Sequence, residues 1–107
     1  MYYVKAIATK LIDDTGYPEI ILCEFFDYDG HKHEFIEKWP VVSDKEFKNV
    51  FPRECVIGCT ILETKRDSYI VSTLKPWDIE SVEEINVFEI QIPFSLNFHQ
   101  RNIIIKK

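Results

Sequence analysis

The stretch Asp27-Tyr28-Asp29-Gly30-His31-Lys32-His33 holds the residue types best suited to chemistry in this chain. On a strand, side chains at i and i+2 leave the same face, so His31 and His33 would point one way. Paired imidazoles at that spacing can hold zinc or copper, with Asp27 or Asp29 adding a carboxylate. No Cys-x-x-Cys or His-Glu-x-x-His spacing supplies the remaining ligands, so no metal is assigned. A metal-binding domain or metal-dependent enzyme centred on His31 and His33 stands as the alternative reading. A histidine beside a carboxylate also suits general acid–base catalysis. A phosphate-cleaving site would need cations as well, and this stretch offers only Lys32. The plain structural reading is that these are exposed polar residues flanking an Asp-Gly turn.

The cysteines point away from catalysis. Cys55 and Cys59 would share one face of a strand at about 13 Å separation, since a strand rises about 3.3 Å per residue. That exceeds disulfide reach. Cys23, inside an apolar run, reads as core packing. Three cysteines without a secreted framework suggest reduced thiols. With three glycines there is no dinucleotide fingerprint, phosphate loop or nucleophile elbow. No catalytic residue and no cofactor is expected.

Pro76 to Glu84 offers a different chemistry: Trp77 followed by Asp78, Glu80, Glu83 and Glu84. Loops on a rigid β scaffold often carry function. Tryptophan is enriched at binding hot spots, and acids on a rim speed capture of a basic partner. The competing reading is that Trp77 folds into the core and the acids are only solvated. The formal net charge is -5, and it is unevenly spread. Residues 13–37 hold eight acids and one base; residues 78–89 hold five acids and no base. Nucleic-acid binding requires the opposite field, whereas a basic partner is favoured. From the first acidic stretch, Asp27, Asp29 and Glu34 join Trp77 and the loop acids as partner-binding candidates.

The elements that must position these residues are mostly strands. Runs rich in Val, Ile, Phe, Tyr and Thr alternate with turn residues, the all-β pattern. Strands are expected over Tyr2 to Ile12, Glu19 to Asp27, His31 to Trp39, Glu54 to Thr64, Ser68 to Leu74 and Ile85 to Ile92, with a possible last one at 102–106. The second is apolar on both faces and should be central. Asp29-Gly30 marks a hairpin. Trp39, four residues after Phe35, reads as core. Ser43 with Glu46 three residues on has the form of a capping box, which predicts one short helix near 44–50. The 107 residues form one domain, 1–107, whose class is mostly β: an antiparallel sandwich or a partly open barrel of about six or seven strands. No apolar run approaches a membrane span. The N-terminus MYYVKAIATKLIDD lacks the marks of a leader, so a cytoplasmic location is expected.

Three groups of residues carry a family resemblance: Val4-Lys5-Ala6-Ile7 with Leu11-Ile12-Asp13-Asp14, then His33-Glu34-Phe35-Ile36-Glu37-Lys38, then Pro76-Trp77-Asp78-Ile79-Glu80-Ser81. Together they resemble a group of small bacterial proteins. The size, acidity and Ile/Lys-rich composition are similar to those of immunity proteins of polymorphic toxin systems, including contact-dependent growth inhibition. That resemblance implies an antitoxin role: binding and blocking a cognate toxin domain, often a basic nuclease, as a monomer in a 1:1 heterocomplex. It transfers a role and no site. A structural module that assembles through an exposed edge strand remains a third expectation.

Overall fold

In the computed structural model the described residues are 1–92 and 104–106. Seven strands appear: β1 (Tyr2–Asp13), β2 (Ile20–Phe26), β3 (Lys32–Lys38), β4 (Arg53–Thr64), β5 (Ser68–Ser72), β6 (Val87–Gln91) and β7 (Ile104–Lys106). One short helix, α1, spans Trp39–Val42. The strands form a single antiparallel sheet ordered β3-β2-β1-β4-β5-β6, with β7 paired to β1. The sheet curls into a half-barrel, so the partly open barrel, not the sandwich, is the form adopted. β2 lies between β3 and β1, as its two apolar faces require.

Alternation explains the inner face. Val4, Ala6 and Ala8 of β1, Ile21, Cys23 and Phe25 of β2, and Cys55, Ile57 and Cys59 of β4 are all buried at a period of two. Irregular register between Ala8 and Lys10, Leu11 and Asp13, and Ile61 and Glu63 adds bends. Such bulges increase the twist that curls a sheet. The concave side is filled by Phe25, Phe35 and Phe88, with ring centroids 5.0–5.8 Å apart, and by Val42 and Ile79. Each such side chain contributes about 1.5–3 kcal/mol when fully buried.

The helix expected near 44–50 is not there. Ser43 Oγ accepts the Lys45 N–H at 3.0 Å in a local turn, so the capping box with Glu46 does not form. The helical turn lies earlier, over Trp39–Val42, with Pro40 in its first turn where a missing N–H costs nothing. Ser43 ends that turn, its N–H bonded to the Trp39 carbonyl. Core packing decides the shift. Trp39 is buried as expected, but from α1 and not from the end of β3. Its indole N–H takes the Lys45 carbonyl at 2.6 Å, the Arg53 guanidinium sits 4.6 Å above its ring, and Phe47 packs edge-on. These contacts hold residues 45–47 beside Trp39 in irregular structure.

No helix among the described residues is long and apolar enough to cross a membrane.

Candidate functional site

The turn between β2 and β3 is organised by one carboxylate. Asp27 Oδ1 accepts the N–H groups of Asp29 and His31 at 2.9 and 3.0 Å. Gly30, at φ 84°, supplies the left-handed residue that the turn needs. Asp27 Oδ2 lies 2.8 Å from Nε2 of His33 and 3.8 Å from Nδ1 of His31. Partial burial opposes ionisation of Asp27. The bonds from His33, His31 and Asp29 outweigh it and hold the carboxyl below its ordinary value.

The two histidines part company. His33 is buried against Phe25 and Phe88, its ring 4.7 Å from Phe88, while His31 is 77% exposed. Both rings still meet the same Asp27 oxygen, so the two imidazoles share one side, but only His33 belongs to β3 while His31 lies in the turn. What the turn does gather is Asp27, Asp29 and His31, with ligand-capable atoms all within 4.8 Å of one another.

The second candidate segment, between β5 and β6, folds as a pinned loop. Thr73 Oγ1 donates to the Ile79 carbonyl at 2.7 Å, and the fully buried Ile79 anchors the loop in the core. Ser81 Oγ accepts the N–H groups of Glu83 and Ile85. Asp78 and Glu84 adopt positive φ. Asp78, Glu80, Glu83 and Glu84 are left exposed around these anchors.

Two backbone bonds then join what the sequence separates. The Val82 N–H donates to the Glu34 carbonyl at 2.8 Å, and the Tyr28 N–H to the Glu89 carbonyl at 2.7 Å. These bonds tie the β2–β3 turn to β6 and the β5–β6 loop to β3. They set the acids of the loop beside Glu34, and the Asp27–Asp29 turn beside Glu89. Val82 and Ile36, 51% and 49% exposed, provide apolar surface on the same border. Neither is conspicuous in the sequence, since Val82 is one apolar residue among acids and Ile36 follows Phe35 within a strand.

Trp77 keeps different company. It is 51% exposed, so it does not fold into the core. Its ring lies over Gly58, where an added Cβ would come within 2.8 Å of Cδ1. It lines a cleft with Tyr3, Lys5 and Val56 of β1 and β4.

Cys23, Cys55 and Cys59 are buried and free. A hydrogen bond with Cys55, reinforced by burial, raises the Cys23 thiol well above its ordinary value, and burial pushes Cys59 up to about 11. Thiols so shifted are poor nucleophiles. No family model matches the chain, and no curated protein or solved structure shows significant similarity to it.

Proposed function

We propose that this chain is an immunity protein, which binds a cognate bacterial toxin domain and neutralises it by covering a basic active surface. One observation carries the reading. The Val82–Glu34 and Tyr28–Glu89 bonds merge two acidic stretches into one border of the half-barrel. Asp29, Glu34, Glu80, Glu83 and Glu84 then act together, with Val82 and Ile36 as an apolar centre and the acids as a rim. Asp27 shapes the turn that presents Asp29. Such a surface speeds encounter with a basic domain and mimics the phosphates that a nuclease cleft binds. The partner is protein, not nucleic acid or membrane, and the complex is 1:1 in the cytoplasm. The work is occlusion, so no catalytic group or cofactor takes part.

The test is co-purification with the toxin domain encoded beside it, followed by stopped-flow association. The triple variant Glu34→Lys, Glu83→Lys, Glu84→Lys should slow association by about ten- to a hundredfold at low salt and flatten its salt dependence. Unchanged kinetics would remove this border from the interface.

The grouping of Asp27, Asp29 and His31 favours a second reading, a divalent-cation site at the turn. Titration calorimetry with Zn²⁺ on the wild type and on His31→Ala separates it from the first. Stoichiometric binding lost in the variant supports the metal; heat-free titration removes it.

A further inference from the structure

β4 is paired along its whole length on neither edge. Arg53 to Cys59 face β1, from Ala8↔Arg53 to Tyr2↔Cys59, while β5 takes only Thr60 to Thr64 on the other side. In antiparallel pairing, successive residues turn their N–H and C=O to opposite edges. The bonded pair Asp27–His31 at the β2–β3 turn sets this alternation. Carried across the register, it turns Glu24 toward β1, Ile7 toward β2, Ala6 and Ala8 toward β4, and Cys55 and Arg53 toward β1. The Glu34 carbonyl, which faces away from β2 to reach Val82, obeys the same count. Glu54 and Val56 therefore turn their backbone groups away from β1. Among the described residues, no backbone group is bonded to them on that side.

Glu54 and Val56 line a cleft of about 420 Å³ together with Trp77, Val41 and Lys45, and it extends over β1 to Tyr3 and Lys5. We propose that this edge receives an extended segment of a partner polypeptide, which adds as a strand beside Glu54 and Val56 with an apolar side chain against Trp77. This rests on the reading of the chain as a partner-binding protein and adds a mode of capture separate from the acidic border. Two donors and two acceptors at strand spacing are satisfied together by an extended backbone, the basis of strand addition. A second copy of this chain fits poorly. Its own edge is recessed between the same walls, and two recessed edges cannot approach to the roughly 4.8 Å of paired strands. Open edges are ordinarily covered or blunted, and this one is only flanked.

The test uses Val56→Pro, which removes an N–H from the open edge and leaves the β1 ladder intact, a position where edge proline is tolerated. In the free wild type, the Glu54 and Val56 amides should exchange with deuterium much faster than those of Cys55 and Ile57. Random peptides displayed on phage should be enriched on the wild type. The selected peptides should lose affinity by about tenfold or more on Val56→Pro, as edge bonds are lost. They should lose it equally on wild type when N-methylated at alternate positions, a readout that does not depend on the variant folding. Slow exchange at both amides, no enrichment, or peptides indifferent to both changes would overturn the proposal. So would a dimer in sedimentation that Val56→Pro abolishes, since the edge would then belong to a second copy. A toxin domain held equally by Val56→Pro but lost on the charge-reversed triple variant would sink this proposal and leave the inhibitor reading standing. Peptide capture without toxin binding would do the reverse.

Discussion

His33 Nε2 lies 2.8 Å from Asp27 Oδ2, and this bond ties the β2–β3 turn to the aromatic core. Asp27 faces the turn through its other oxygen, while His33 packs on Phe25 and Phe88. Removing either partner strands the other in a site with little water. Asp27→Ala should cost about 2 kcal/mol, because a mostly buried imidazole loses its hydrogen-bond partner and two turn N–H groups lose theirs. The double variant with His33→Phe should cost less than the sum of the singles, by about 1 kcal/mol. Urea unfolding of the four proteins checks this; strict additivity would deny the bond any energetic role.

Asp27 and Glu37 should give stability opposite pH slopes. Asp27 is held below its ordinary value of 3.8, so the unfolded chain binds the proton more tightly. Its contribution is present above 3.8 and is lost as pH falls through the lower folded value. Burial of Glu37 raises its carboxyl above 4.5 despite the nearby Lys38. There the folded state holds the proton better, and stability declines as pH rises from 4.5 through the raised folded value. Glu37→Gln should abolish that decline, and Asp27→Asn should abolish the acid loss. Thermal unfolding across pH 2–7 reads both; an unaltered profile in Glu37→Gln would refute the assignment.

Gly58 is constrained by its neighbour more than by its backbone. A methyl group there would meet Trp77 Cδ1 at 2.8 Å, Nε1 at 3.0 Å and Pro76 Cδ at 3.3 Å. Gly58→Ala should push the indole outward at a cost of about 1 kcal/mol, the lower end of overpacking losses. In a Trp39→Phe background, Trp77 emission should shift to the red. An unmoved spectrum would mean that the ring does not rest on Gly58.

The thiols should be quiet. Cys59 has its thiol pushed up to about 11 by burial, and Cys23 is raised well above its ordinary value by its bond with Cys55 and by burial. At pH 8 all three should react with a thiol reagent only as the protein unfolds, at a rate set by global opening. Fast labelling of one native cysteine would identify an accessible thiolate and contradict this packing.

Much of the sheet was legible in one dimension. Alternation from Val4 to Ala8, the two-faced run Ile20 to Phe26, the Asp29-Gly30 turn and the Phe88/Ile90/Ile92 face are local properties, and each is realised, with Ile92 half-buried just past β6. The short helix was misplaced because Ser43 and Glu46 satisfy a local rule that the burial of Trp39 overrides. The two histidines both reach Asp27 Oδ2, but one ring is buried and the other is exposed on the turn, and spacing alone does not say where a strand begins.

The sequence by itself determined an antiparallel, mostly β domain with two acidic stretches, because side-chain period and charge are written residue by residue. Only the tertiary structure decided that backbone bonds join the two stretches at Val82–Glu34 and Tyr28–Glu89, that Trp77 sits over Gly58, and that among the described residues β4 is unpaired beyond β1 at Glu54 and Val56. These facts depend on the curl of the sheet, which brings β6 back toward β3 and ends β5 short of the first half of β4. Curl is set by bulges and packing summed over the whole chain, so no local stretch of residues encodes it.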